Sequence, residues 1–159
     1  MDRQYNRVKT GKIVAAVFFL CAAVYLLSLF FVNQRVVTVD VSGCVTDTGQ
    51  MAYQIEKIES KHGFLEIRGY AYEPGISIDT ADTRLLAYDP AAGVYYRLPT
   101  ENVKKKKLTE KANDGFNYDY AQFKSVVRQD KLPGGCRACI WYRCNGANSL
   151  IYTDEVLFY

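Results

Sequence analysis

Histidine is almost missing from this chain. One residue of its 159, His62, carries an imidazole, and a lone histidine cannot serve both a nucleophilic triad and a histidine-bound metal. G-x-S-x-G, a glycine-rich phosphate loop and H-E-x-x-H are also missing. His62 lies in Lys-His-Gly just before a strand-like run, which reads as an exposed turn. No Asn-x-Ser/Thr sequon occurs, so nothing marks a glycosylated ectodomain. Neither charge dominates: 20 Lys+Arg against 17 Asp+Glu give a net +3, which excludes a strongly basic nucleic-acid binder. Hydrophobic residues make up 49% of the chain, too many for a disordered tail. The length leaves room for one core and an appendage, not for two catalytic lobes. Carboxylates are plentiful but unpaired at any defined spacing. Asp79, Asp82 and Asp89 read as surface turns or, less simply, as a weak loop calcium site.

What the chain does have is one long apolar run. Residues 13–32 read IVAAVFFLCAAVYLLSLFFV, without a charge. Twenty helical residues span about 30 Å, the thickness of the hydrocarbon core. The run is too long for a cleavable signal and is not followed by a small-x-small site, so an uncleaved anchor is expected. Arg3, Arg7, Lys9 and Lys12 precede it against Asp2, and the positive-inside rule puts residues 1–12 in the cytoplasm. The remaining chain then holds sixteen basic and sixteen acidic residues of the totals of 20 and 17, so bulk charge does not select its partners.

Beyond the helix, short runs rich in Val, Ile, Tyr, Phe and Thr alternate with turn residues. In 64–72, Leu65, Ile67, Gly69 and Ala71 share a face opposite Phe64, Glu66, Arg68, Tyr70 and Tyr72. In 118–128, Ala121, Phe123, Ser125 and Val127 oppose Gln122, Lys124 and Arg128. This period of two marks half-buried strands. Further strands are expected at 36–41, 53–58, 84–89, 94–98, 136–144 and 150–158, with hairpin loops at 89–93 and 145–149. Residues 100–115 carry no strand signal and read as a long surface loop. The fold class is therefore all-β: an antiparallel, immunoglobulin-like β-sandwich of about seven or eight strands, preceded by one N-terminal transmembrane α-helix. The expected organisation is a cytoplasmic tail at 1–12, a transmembrane signal-anchor helix at 13–34, a juxtamembrane segment with the first strand at 35–51, and an extracytoplasmic sandwich at 52–159.

The succession Ile67-Arg68-Gly69-Tyr70-Ala71, Tyr96-Arg97-Leu98-Pro99-Thr100, Gly115-Phe116, Tyr120-Ala121-Gln122-Phe123 and Leu132-Pro133-Gly134-Gly135 resembles small extracytoplasmic β-sandwich domains of bacterial envelope proteins. Comparable domains accompany cell-surface polysaccharide and teichoic-acid machinery. The resemblance spans about residues 52–158 and implies a fold and a setting. It transfers no catalytic residue.

Three groups of residues are candidate sites. Cys44, Cys136, Cys139 and Cys144 lie beyond the helix, where an oxidising compartment favours disulfides. The Cys136-Arg-Ala-Cys139 spacing leaves a zinc site or a redox pair as alternatives, although residues three apart on a strand face opposite ways. Cys21 is a small apolar residue of the helix. Lys104, Lys105, Lys106 and Lys107 form the one dense charge cluster, a contact for anionic polymer or lipid headgroups or simply a solvated loop. Trp141, standing outside between Arg137 and Arg143, makes a sugar-stacking platform if Tyr70 or Tyr72 lies close by. No cofactor is expected. The expected function is a non-catalytic binding or assembly module at the cell envelope, embedded in the bilayer and contacting an envelope protein or surface polymer, with no nucleic-acid partner. The alternatives are a thiol-redox or zinc protein, and a pilin-like subunit, which Asn33, Gln34 and Arg35 disfavour by interrupting the apolar helix.

Overall fold

A computed structural model describes residues 7–33, 35–46 and 49–158. Asp2, Arg3 and Gln34, used above for orientation and for the end of the anchor, lie outside the described residues. The chain divides into two compact units, Met1–Arg35 and Val36–Tyr159.

The first unit is helix α1 (Arg7–Asn33). Its stretch Lys9–Val32 is long and apolar enough to cross a membrane. At 24 residues it measures about 36 Å. Its one serine spends its hydroxyl internally, Ser28 Oγ donating to the Val24 carbonyl at 2.8 Å.

The second unit is built from β1 (Val37–Val39), β2 (Ala52–Lys61), β3 (Phe64–Tyr72), β4 (Thr83–Asp89), β5 (Val94–Arg97), β6 (Thr100–Val103), a short helix α2 (Lys107–Ala112), β7 (Gln122–Arg128), β8 (Arg137–Tyr142) and β9 (Ser149–Val156). The strands form two antiparallel sheets, ordered β1-β5-β4-β8-β9 and β2-β3-β7-β6. The unit begins at Val36, within the expected juxtamembrane segment 35–51.

Alternation along each strand decides what is buried. On β3, Leu65, Ile67 and Ala71 point inward and meet Phe123 and Val127 of β7, together with Leu85 and Ala87 of β4 and Ala138, Ile140 and Tyr142 of β8. One apolar core is thus shared by both sheets. Ser125, on the buried side of β7, is tolerated because its hydroxyl donates to the Pro99 carbonyl at 2.6 Å, sparing the cost of an unpaired polar group.

Turn chemistry fixes the register. β2 and β3 are joined through His62 and Gly63, with φ of 51° and 77°. Two consecutive positive φ values define the type I′ hairpin turn, whose twist matches that of the strands. The β4–β5 loop is closed by Asp89, whose Oδ1 accepts from the Ala91 and Ala92 amides at 2.9 and 3.3 Å.

The expected loop at 100–115 is corrected. Its first part is β6, paired with β7 from Thr100↔Ser125 to Val103↔Gln122. Its middle is α2, pinned by the buried Leu108 and ended by Asn113 in the left-handed conformation. With this strand there are nine among the described residues, against the seven or eight expected. At the start of the expected strand 118–128, Tyr118 to Ala121 form a turn in which Tyr120 alone is exposed, with the Ala121 amide donating to the Tyr118 carbonyl at 3.0 Å.

Candidate functional site

Both faces of a sheet are used where the strand order allows it. The outer face of the five-stranded sheet carries a second apolar cluster, in which Leu86, Cys139 and Leu150 are almost completely buried. Two coverings explain that burial. The first is the chain itself. β1 lies at one edge of the sheet and β9 at the other. Residues 40–45 cross between them, with Val41 and Cys44 packed on the cluster. The crossing is fastened at β9 by a parallel bridge of Val45 to Ser149. The Val45 amide donates to the Asn148 carbonyl at 2.8 Å, and the Leu150 amide to the Val45 carbonyl at 2.9 Å. The Asn148 side chain completes the clasp: Nδ2 donates to the Gly43 carbonyl at 2.8 Å, and Oδ1 accepts from Trp141 Nε1 at 2.8 Å and from the Cys44 thiol at 3.4 Å.

The second covering is a trio of tyrosines. Tyr88 and Tyr95 stack with centroids 4.7 Å apart. Tyr152 stands edge-on to both at 6.4 and 6.5 Å. The Tyr95 and Tyr152 hydroxyls are 2.7 Å apart. Tyr88 and Tyr95 are cross-strand partners, and Tyr152 is the partner of Cys139 on β8. The hydroxyl contact therefore reaches across the sheet. Burial, reinforced by the bond to Tyr152, pushes the Tyr95 phenol well above its ordinary range.

The disulfides expected among Cys44, Cys136, Cys139 and Cys144 are not formed. All four are free. Cys136 and Cys144 belong to the shared core, whereas Cys139 and Cys44 belong to the outer cluster. Cys136 and Cys139 fall in different clusters because residues three apart on an extended chain face opposite ways. The zinc set Cys44, Cys136, Cys139, Cys144 is corrected with it: among the described residues no three His, Cys, Asp or Glu side chains gather as metal ligands. Asp79, Asp82 and Asp89 are likewise not brought together. Asp82 pairs with Arg84 at 2.6 Å and Arg143 at 3.5 Å, and Asp89 serves its turn.

Redox chemistry at Cys139 is opposed by its surroundings. Burial pushes this thiol up to about 12 from an ordinary 9.0, which lowers its thiolate population at neutral pH about a thousandfold. Burial also raises Cys44 and Cys136. Alkylation of the native full chain with iodoacetamide at pH 8 is therefore expected to modify Cys44 first among the four. Cys136, Cys139 and Cys144 should react only after denaturation, as read by peptide mass spectrometry. Rapid native labelling at Cys139 would contradict the packing.

The aromatic platform expected from Trp141, Tyr70 and Tyr72 is not assembled. Trp141 does stand on the outer face, as its alternation with Ala138 and Ile140 requires. Its ring, however, is already covered by the Arg143 guanidinium at 4.8 Å, and its indole N–H by Asn148. Tyr70 and Tyr72 belong to β3 in the other sheet. There, Tyr72 packs on Tyr118 with centroids 4.3 Å apart.

The four lysines do not share one face. Lys104 Nζ lies 5.4 Å over the Tyr120 ring. Lys105 lines a hollow of about 190 Å³ on the four-stranded sheet with Glu56, Arg68, Glu101 and Lys124. Lys106 and Lys107 begin α2. Strand β6 ends just before this run and α2 starts at its last residue, so the four lysines do not share one regular element. A site that the sequence reading missed is the tyrosine trio, since nothing local in β4, β5 and β9 announces that their outer faces meet.

No family model matches the chain, and neither a curated protein nor a solved structure matches it.

Proposed function

We propose that the chain is a single-pass, membrane-anchored binding or assembly module of the cell envelope, without catalytic activity of its own. Helix α1 crosses the bilayer with residues 1–12 in the cytoplasm, and the β unit is an extracytoplasmic sandwich of the immunoglobulin-like class. The observation that carries this reading is the exposure of α1. Phe18 and Phe19 are about 70% exposed, and Ile13, Leu20, Leu26 and Phe31 are exposed as well. A helix apolar all round requires an apolar covering, and a bilayer provides one. Arg7, Lys9 and Lys12 at its start supply the positive flank that orients it.

The binding role draws on how the polar groups of the β unit are spent. His62 sits in a hairpin turn, Asn148 in the clasp, and Asn145 in the loops, where Oδ1 accepts from the Asp79 and Thr80 amides at 2.9 and 3.0 Å. These are architectural uses. A tether concentrates such a module near membrane-bound partners or a nascent surface polymer.

Protease added to intact cells expressing the chain is expected to remove the β unit and leave a fragment containing α1, detected with an N-terminal tag. Protection in intact cells combined with digestion in lysed ones would overturn the orientation. Co-purification of envelope-synthesis proteins in mild detergent is the companion measurement for the assembly role.

A further inference from the structure

We infer that the outer face of the five-stranded sheet, around Tyr88, Tyr95 and Tyr152, is a binding site for an acidic polysaccharide. The inference deepens the envelope-binding reading by naming the surface and the ligand chemistry. Three observations converge there.

The first is an aromatic surface on a rigid support. Tyr152 is 47% exposed at the end of the trio, and the hydroxyl contact to Tyr95 holds its ring in place. A pyranose presents an apolar C–H face, and a fixed aromatic ring is what such a face stacks on. The tyrosines stand on strands, so little ordering is lost on binding.

The second is a pair of uncommitted guanidiniums. Arg97 follows Tyr95 by two residues and so shares its face, opposite Leu86. Arg137 is the cross-strand partner of Tyr88. Both are exposed, and neither takes an ion pair or side-chain hydrogen bond among the described residues. By contrast, Arg84 on β4 and Arg143 just after β8 are spent on Asp82. From strand spacing and rise, the backbones of Arg97 and Arg137 lie about 12 Å apart. They therefore address separate anionic groups along a chain, with Tyr95 two residues from Arg97 on β5 and Tyr88 opposite Arg137. Guanidinium geometry suits carboxylate or phosphate, which it binds through two parallel N–H donors.

The third is an open groove of about 600 Å³ beside Tyr95, between residues 38–42 and the 93–95 hairpin. Asp40 in its wall is fixed by its own turn, accepting from the Ser42 amide at 2.9 Å and hydroxyl at 3.0 Å. A carboxylate held this way accepts hydrogen bonds from sugar hydroxyls. Asp154, two residues beyond Tyr152 on β9, forms no ion pair with Arg137 among the described residues.

A peptide polyanion would satisfy the arginines but leave the tyrosines idle, and a neutral glucan would do the reverse. The full-length chain in phosphatidylcholine nanodiscs should be titrated calorimetrically with polygalacturonate, dextran and poly-glutamate. Polygalacturonate is expected to bind at least about tenfold more tightly than either control. The Arg97→Gln, Arg137→Gln double variant and Tyr152→Ala should each lose about tenfold, while Lys106→Gln, Lys107→Gln should bind as the parent does. Arg97, Arg137, Lys106 and Lys107 are exposed, so those variants retain the fold, and Tyr152→Ala, which also uncovers part of the outer cluster, is read only where its urea unfolding midpoint matches the parent's. Equal affinity for poly-glutamate or dextran, unchanged binding by the arginine variant, or no polygalacturonate binding would each overturn the inference. The assay is blind to which side of the membrane the β unit occupies, so its outcome is independent of the protease test.

Discussion

Gly69→Ala is expected to destabilise the β unit by about 3 kcal/mol, a loss of roughly 10 °C or more in Tm for a unit of this size. Gly69 does not have a positive φ, so ordinary strand geometry would accept alanine. What alanine meets is the backbone. A Cβ at this position lies 2.4 Å from the Gln54 carbonyl oxygen and 2.8 Å from Phe123 Cζ. The phenyl ring has some freedom. The carbonyl has none, because β2 shifts register between Ile55 and Lys57, beside the Ile55↔Gly69 pair, and bulged backbone at this close approach is held by the ladder on both sides. Gly63→Ala makes the opposite comparison. Its φ is +77° but nothing lies within 4 Å, so it should cost only about 1–2 kcal/mol of local strain. Urea unfolding of the two variants in detergent, followed by Trp141 fluorescence, tests the order. A Gly69 variant as stable as the Gly63 variant would remove the steric argument.

The same position shows what the sequence did and did not disclose. Gly69 falls on the inward face of 64–72 by alternation alone, and the structure places it there. The need for glycine arises from a bulge on a different strand, which no pattern within 64–72 encodes. The elements legible in the sequence were those whose own residues alternate, such as β3, β7 and β8, or whose turns announce themselves, such as 89–93. β6 was missed because Thr-Glu-Asn-Val carries no apolar alternation. It is a strand because β7 offers an open edge at Ser125 to Gln122. α2 was missed because six residues with one buried leucine show no helical period. The His62-Gly63 turn had a local signal, a glycine between two runs of strand-forming residues, and only the positive φ at histidine was unexpected. The tyrosine trio had no local signal at all. Tyr95 and Tyr152 are distant in sequence and lie on strands that are not neighbours, so their contact follows from strand order, which periodicity does not determine.

Tyr118→Ala is expected to cost about 3–5 kcal/mol, the usual loss for a fully buried aromatic, because this side chain joins two loops as well as filling the core. It is completely buried and packs on Tyr72. Its hydroxyl donates to Asp114 Oδ2 at 2.7 Å and accepts from the Gly75 amide at 2.7 Å. The turn after β3 and the loop before β7 are thereby tied at one atom. Tyr118→Phe separates the two contributions: the ring remains, the tie is lost, and the cost should fall to about 1–2 kcal/mol. The tie also has a pH signature. The Tyr118 bond holds the Asp114 carboxyl below its ordinary 3.8, so its contribution is present above that value and is lost as pH falls through the lower folded one. Burial, followed by the Asp114 bond, raises the Tyr118 phenol above 10.0, so its contribution is intact below pH 10 and is lost as pH rises through the folded value. The stability difference between parent and Tyr118→Phe should therefore be level between about pH 5 and 9 and narrow on either side. A gap that is flat from pH 2 to pH 11 would mean that the hydroxyl and the carboxylate are not coupled.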